Sequence, residues 1–239
     1  MPTFLITGTR RGIGLEYVRQ LSVSEDNTIV AVVRDLNGDL ETLQAIIKNP
    51  GTKARILLVQ CDTSNPESIA ALPSQLPSDL RINTLIQNSA ILRESSRVET
   101  GLTVKPESLI DHFTTNTVGP LLVAQALAPV LAPGAVVANV TSGLGSMALL
   151  SDGTINAENP AYSISKAALN MATVHLAKNL AGRAVVVGID PGHVKTTMGG
   201  PKAVMEIDFS AKSILNTLSG LKEEDSGKFL RFDGVNVPW

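Results

Sequence analysis

Short β-branched runs alternate with longer helical stretches along the whole chain. Phe4–Thr7, Thr28–Val33, Ile56–Gln60, Ile82–Ile86, Ala135–Val140 and Ala184–Ile189 read as strands, and Lys228–Leu230 is a candidate seventh. Several are nearly continuous apolar runs, the pattern of parallel strands covered on both faces. Between them, helices are predicted near Gly12–Leu21, Leu40–Ile47, Pro66–Leu72, Pro106–Leu131 and Ala161–Leu180. This alternation predicts βαβ units with right-handed crossovers, and hence an α/β fold built on a doubly wound parallel sheet. No internal repeat, low-complexity tract or Gly/Ser/Pro-rich linker divides the chain, so residues 1–239 are expected to form one domain.

Composition narrows the function more than the fold. A net charge of −2 gives no electrostatic reason to expect nucleic acid or an anionic membrane as partner. The single cysteine, Cys61, rules out an intramolecular disulfide and points to a reducing compartment. The three histidines are scattered, so no metal site is expected. The N-terminus lacks the basic and long apolar regions of a signal peptide. No run approaches the ~18 apolar residues that suggest a membrane span. A soluble cytoplasmic protein is the resulting expectation.

The first strand runs into Thr7-Gly8-Thr9-Arg10-Arg11-Gly12-Ile13-Gly14, which opens the first helix. Glycines there permit a tight turn and let backbone N–H groups approach a pyrophosphate at the positive end of the helix. Gly8, Arg10, Arg11, Gly12, Ile13 and Gly14 are therefore candidate cofactor contacts, although the spacing departs from the common G-x-G-x-x-G. An NAD site places a carboxylate at the end of the second strand, ~20 residues past the glycines, to bond the ribose 2′-hydroxyl. Here that strand ends in Val33 and Arg34. Two arginines, Arg11 and Arg34, flank the place of an adenosine 2′-phosphate, which a guanidinium grips and a carboxylate repels. NADP(H) is the predicted cofactor, with Asp35 a possible neutralising neighbour of Arg34.

The other candidate chemistry opens the last long helix predicted. Tyr162 and Lys166 stand four apart and share a helical face. A free tyrosine has a pKa of about 10, too high for efficient proton transfer near neutrality, and an adjacent ammonium would lower it. Ser142 ends the preceding strand at the carboxyl edge of the sheet, where open α/β folds bind ligands. In the long central helix Pro120 has no N–H, so the carbonyl of Asn116 loses its usual donor. A kink there would turn that carbonyl and the amide side chain inward to hold a water beside Lys166.

Glycine turn, Asn116, Ser142 and Tyr162-x-x-x-Lys166 occur in the order and spacing of the short-chain dehydrogenase/reductase family, which the whole chain resembles. The resemblance implies a seven-stranded Rossmann-type sheet ordered 3-2-1-4-5-6-7 and a catalytic set of Asn116, Ser142, Tyr162 and Lys166. Tyr162 would be the acid/base, Lys166 would bind the nicotinamide ribose and Ser142 would orient the carbonyl. The resemblance also implies that Asp62 bonds the adenine and that Asn88 stands near the adenosine ribose. Pro191, Gly192, Val194 and Thr196 belong to the segment that would hold the nicotinamide carboxamide. Pro191 to Gly200 and the C-terminal Phe232–Trp239 resemble a narrower branch, which includes bacterial C-factor, insect Sniffer-type carbonyl reductases and fungal norsolorinic acid ketoreductases. One departure is Gln87-Asn88-Ser89-Ala90, where the family has Asn-Asn-Ala-Gly.

The expected activity is NADPH-dependent reduction of a ketone, aldehyde or quinone. The rivals are an NAD(P)-dependent alcohol dehydrogenase running toward oxidation and a non-catalytic NADP-binding sensor. Leu144, Met147, Leu149, Leu150, Met205 and Ile207 are expected to wall a pocket for a hydrophobic carbonyl substrate. A homodimer or homotetramer is implied by resemblance alone. His112 is expected on the polar side of the long helix, His175 in packing or an interface, and His193 either as a loop side chain near the pocket mouth or as a substrate contact. Trp239 either closes over the pocket or an adjacent subunit, or pins the C-terminus to the core.

Overall fold

The computed structural model describes all residues 1–239. Seven strands form one parallel sheet: β1 (Thr3–Thr7), β2 (Thr28–Val33), β3 (Arg55–Gln60), β4 (Ile82–Gln87), β5 (Leu131–Val140), β6 (Ala184–Asp190) and β7 (Phe229–Arg231). Their order is β3-β2-β1-β4-β5-β6-β7, with the chain reversing direction across the sheet between β1 and β4. All six ladders are parallel, and the register sets Leu5 beside Val30 and Leu85 and Val137 beside Val186.

Helices cover both faces: α1 (Gly12–Leu21), α2 (Glu41–Lys48), α3 (Pro66–Ala70), α4 (Pro106–Phe113), α5 (Gly119–Leu127), α6 (Met147–Ser151), α7 (Pro160–Asn179) and α8 (Ile207–Ser219). The continuous apolar strands explain the two cores. Leu5, Val30, Leu85 and Val137 pack under α3, α5 and α7, while Ile6, Ile29, Ala31 and Ile86 pack under α1, α2 and α8. Each fully buried Val, Leu or Ile contributes about 1.5–3 kcal/mol, so these two layers fix the strand edge on which a site is built. No helix is long and apolar enough to cross a membrane.

The stretch expected to be one helix over Pro106–Leu131 is divided. A π turn, Thr114–Val118, separates α4 from α5, and Gly119 N–H bonds the carbonyl of Thr114. Proline at the second residue of α5 removes one helical donor, and the ladder takes up the defect by widening. The helix stops at Leu127, and a short 3-10 turn leads into β5 at Leu131. His112 is a further correction: it is completely buried, accepting from Arg93 N–H at 3.2 Å and meeting the Ser108 carbonyl at 2.7 Å. Cys61 is buried, as a small apolar side chain.

Candidate active site

The glycine turn leaves β1 at the carboxyl edge of the sheet. Gly8 and Gly12 adopt positive φ (74° and 60°), and Gly14 lies where no side chain fits. A Cβ on Gly14 would stand 2.3 Å from the Gly8 carbonyl oxygen and 2.6 Å from Asn88 Nδ2. Asn88 buttresses the turn from below, donating to the carbonyls of Thr7 (3.2 Å) and Gly8 (3.4 Å), while its N–H bonds Thr7 Oγ1 at 3.0 Å. Ser89, beside the substituted Ala90, sends its own N–H to the same hydroxyl at 3.0 Å. Ile13 is half-buried at the start of α1.

The segment after β6 closes this cradle from the other side. Gly192 has φ 78°, Val194 is buried against Met205, and Thr196 Oγ1 accepts from Gly199 N–H at 3.0 Å. Thr196 Cγ2 lies 3.5 Å from the point a Cβ on Gly12 would occupy. Pro191 accepts from the Ser210 hydroxyl, at 2.8 Å, which seats the loop on α8.

Arg10, Arg11 and Arg34 are exposed at this rim, and none takes part in an ion pair. Asp35 accepts from Asn37 N–H at 2.9 Å within its own turn and does not pair with Arg34. Asp62, just past β3, accepts from the N–H and hydroxyl of Ser64 at 3.0 and 2.7 Å.

The polar cluster lies next to the cradle, between the end of β5 and the first turns of α7. Tyr162 is 8% exposed and Lys166 only 1%. Helical spacing puts both on the face of α7 that meets β5, and Lys166 Nζ is 5.6 Å from the tyrosine ring centroid. The ammonium donates to the Val140 carbonyl at 2.8 Å, one strand residue from the start of the serine loop. Buried polar pairs fix this packing: Thr141 Oγ1 donates to Asn170 at 2.7 Å, and Asn139 Nδ2 to Thr173 Oγ1 at 2.8 Å. Ser142 Oγ accepts from Leu144 N–H at 3.2 Å, and its hydroxyl favours the ionised form of the Tyr162 phenol.

Electrostatics in the cluster follow from burial. Loss of water pushes the Tyr162 hydroxyl well above its ordinary value, and the carboxylate of Asp190 pushes it further. Ser142 and Arg97 pull it back. Burial lowers the Lys166 ammonium to about 7. The sequence predicted that Lys166 itself lowers the tyrosine; instead its ammonium lies along the ring and is held by Val140.

Asn116 is completely buried in the π turn, but its amide does not face Lys166. Its Oδ1 accepts from Ile91 N–H at 2.8 Å, and its Nδ2 donates to the Ile91 carbonyl at 2.9 Å and to Ser165 Oγ at 3.0 Å. The expected inward amide is thus replaced by a clasp on the loop after β4. Ser165 passes the network on by donating to the Tyr162 carbonyl at 2.7 Å.

Two residues that sequence reasoning missed stand here. Arg97 reaches from the loop after β4 to the Met198 carbonyl, at 2.6 Å, and ion-pairs with Glu94 at 2.8 Å. Asp190 ends β6 beside Ser142-Gly143. A charged residue closing an apolar strand was the available signal for Asp190; a contact spanning a hundred residues left none for Arg97.

The short chain dehydrogenase family pattern matches residues 2–206 of this chain. The chain belongs to the short-chain dehydrogenase family of oxidoreductases. Among solved structures of this family, the NADPH-bound carbonyl reductase from chicken fatty liver superposes with a TM-score of 0.88 at 30% identity, covering 100% of this chain and 99% of that one. The carbonyl reductase Sniffer of Drosophila melanogaster superposes with a TM-score of 0.87 at 30% identity, covering all of both chains. The C-signal protein of Myxococcus xanthus is 43% identical over 130 residues, which is 53% of this chain and 76% of that protein. The sheet order expected from the family resemblance is the one observed.

The C-terminal segment distinguishes the pocket side. Val237 N–H bonds the Phe229 carbonyl at 2.8 Å, turning the chain back along β7. Trp239 then stacks on Phe229 with ring centroids 5.4 Å apart, and its carbonyl accepts from Ala148 N–H at 2.9 Å. Trp239 therefore pins the C-terminal segment to the sheet and to the first turn of α6. Met147 and Leu150 on that helix are exposed, whereas Leu144, Leu149, Met205 and Ile207 are half-buried. His193 is an exposed loop side chain meeting the Gly199 carbonyl at 2.8 Å, and His175 is exposed on α7.

Proposed function

We propose that residues 1–239 form one catalytic unit that reduces a small hydrophobic ketone, aldehyde or quinone with NADPH. The observation that carries this reading is the gathering of Ser142, Tyr162 and Lys166 at the carboxyl edge of β5, beside the glycine turn of Gly8, Gly12 and Gly14. That cradle fits a dinucleotide pyrophosphate, which α1 would receive at its N-terminus. The exposed, unpaired Arg11 and Arg34 fit a 2′-phosphate, with Arg10 beside them. Gly8, Gly12, Ile13, Gly14, Asp62 and Asn88 would hold the adenosine half, and Pro191, Gly192, Val194 and Thr196 the nicotinamide half.

The nicotinamide cofactor supplies the hydride when bound. Ser142 orients the carbonyl oxygen by a hydrogen bond, and Tyr162 gives that oxygen its proton. Burial holds Tyr162 in the protonated form, the form that can give a proton to a carbonyl oxygen. Lys166 positions the nicotinamide ribose. The main-chain carbonyl of Asn116, which Pro120 cannot serve as a donor, holds the water that returns a proton from solvent. The half-buried apolar side chains around the cluster support a hydrophobic substrate. Exposed Phe113, Ile164 and Met171 on α4 and α7 support association into a homodimer or homotetramer.

Following NADPH and NADH absorbance over a panel of aromatic ketones, aldehydes and quinones tests the reading. Turnover with NADPH on at least one class is expected. NADPH binding with no turnover on any class would favour a cofactor-sensing protein.

A further inference from the structure

The chain after β7 turns back on itself and reaches the segment that follows Ser142. Asp233-Gly234 makes the turn, with Gly234 at φ 84°, a conformation glycine adopts without strain. Arg231 N–H bonds the Val235 carbonyl at 2.7 Å and Val237 N–H the Phe229 carbonyl at 2.8 Å, so residues 235–237 run as a strap along β7, the edge strand. Two carbonyls then meet the serine side of the site. Pro238 accepts from the Ser146 hydroxyl at 2.5 Å, and Trp239 accepts from Ala148 N–H at 2.9 Å. Ser146 is 1% exposed, and its Oγ also accepts from Leu149 N–H at 3.1 Å, which caps α6.

The Trp239 ring keeps the strap in place by lying on Phe229, with the two ring planes 24° apart. Phe229 is buried, and it packs toward the strand residue before Ser142: the point a Cβ on Gly188 would occupy lies 3.5 Å from both Phe229 Cδ2 and Thr141 Cγ2. Between these contacts lies the turn that presents the serine. The Ser142 carbonyl accepts from Gly145 N–H at 2.8 Å and the Gly143 carbonyl from Ser146 N–H at 2.9 Å, so residues 142–146 form one bonded piece. One side of that piece rests on α7, where a Cβ on Gly145 would stand 2.8 Å from the Lys166 carbonyl carbon and where Asn170 Nδ2 donates to the Gly145 carbonyl at 3.1 Å. The strap holds it at Ser146.

We propose that Trp239 is a positioning residue for Ser142: its stack on Phe229 fixes the Pro238 and Trp239 carbonyls, and these hold the turn of residues 142–146 against α7. The proposal rests on the reading of Ser142 as the group that orients the substrate carbonyl. It deepens that reading by assigning the placement of Ser142 to a residue outside the Asn116, Ser142, Tyr162 and Lys166 set. Hydrogen bonds are directional, so a strap without its aromatic anchor frays and leaves the turn its α7 contact alone. A shift of about 1 Å in a group that orients a reacting atom can cost on the order of 10²-fold in rate. The strap makes no hydrogen bond to the glycine turn, so NADPH affinity stays as it is.

A double-mutant cycle on Trp239 and Ser142 in the full chain tests this. Trp239→Ala is expected to lower kcat for NADPH-dependent reduction by roughly 10- to 100-fold, with NADPH affinity unchanged. Trp239→Phe, which keeps a ring on Phe229, should restore most of the loss. In the Ser142→Ala background Trp239→Ala should cost almost nothing more, because the group it positions is already gone. An equal further loss there would make Trp239 a general support of the fold and overturn the proposal, as would native kcat in Trp239→Ala. Hydrogen exchange reads the hold without turnover: the amides of residues 143–149 should exchange on the order of tenfold faster in Trp239→Ala, as local opening allows, while those of β1 and β2 keep their native rates. Unchanged exchange in residues 143–149 would also overturn the proposal. Native turnover in Ser142→Ala would instead sink the serine assignment and the positioning role with it, and faster exchange in Trp239→Ala would then leave the strap as a purely structural tie.

Discussion

Asn116 and Ile91 hold each other by two hydrogen bonds, amide to peptide, across the gap between the π turn and the loop after β4. This pairing leaves neither backbone group of Ile91 unpartnered, and it fixes the strand-edge loop against the π turn, from which Asn116 Nδ2 also reaches Ser165 on α7.

Asn116→Ala would strip both partners from the half-buried Ile91. A fully buried orphaned group costs about 1–3 kcal/mol, and at this half-buried position each of the two should cost about 1–2, an expected loss on the order of 2–4 kcal/mol in urea unfolding. A loss under about 0.5 kcal/mol would show that water replaces the amide without strain.

Lys166 predicts a pH dependence of stability. Its ammonium sits at about 7 in the fold against 10.5 in an unfolded chain. Between those values the unfolded state carries one more proton, so the native state gains stability as pH rises and loses it as pH falls through about 7. Lys166→Met removes that proton. The native chain should gain on the variant from pH 7 to pH 9, with a slope of up to about 1.4 kcal/mol per pH unit. Parallel stability curves would place Lys166 in a wetter site than its burial indicates.

Gly14→Ala should cost about 1–3 kcal/mol, the usual penalty of overpacking, because its new methyl meets the Gly8 carbonyl and Asn88. NADPH affinity should fall with it. Gly101→Ala, which meets nothing within 4 Å, is the control and should change neither.

Much of this arrangement was legible in the chain. Both-face burial makes parallel strands read as continuous apolar runs, which is why Thr28–Val33 was found to the residue and Ala184–Asp190 to within one. Glycine turn, serine and Tyr-x-x-x-Lys announce themselves because the chemistry confines those residue types to fixed places. The division of the central helix was only half legible: Pro120 signalled a defect, but a widened π turn and a kink leave the same mark in sequence. The start of β5 was hidden because Leu131-Ala132-Pro133-Gly134 continues the apolar character of α5. His112 and Arg97 eluded periodicity because their surroundings come from chain distant in sequence: the loop at Arg93 and Ser96 for one, Met198 for the other.

Arg34→Ala tests the cofactor assignment. The Michaelis constant for NADPH should rise on the order of tenfold, the scale of one lost charge-assisted contact to phosphate, with NADH changed much less. Equal effects on both would remove Arg34 from the 2′-phosphate site.

The central claim is that Tyr162 protonates a carbonyl while NADPH is held in the glycine cradle, and Tyr162→Phe tests it most directly. NADPH binding by fluorescence titration and NADPH oxidation with the best carbonyl substrate should be measured on the same preparation. The account predicts binding within about threefold of native and turnover reduced by 10²–10⁴, the scale of general acid catalysis. Turnover within a few-fold of native would contradict it and assign the proton to another donor.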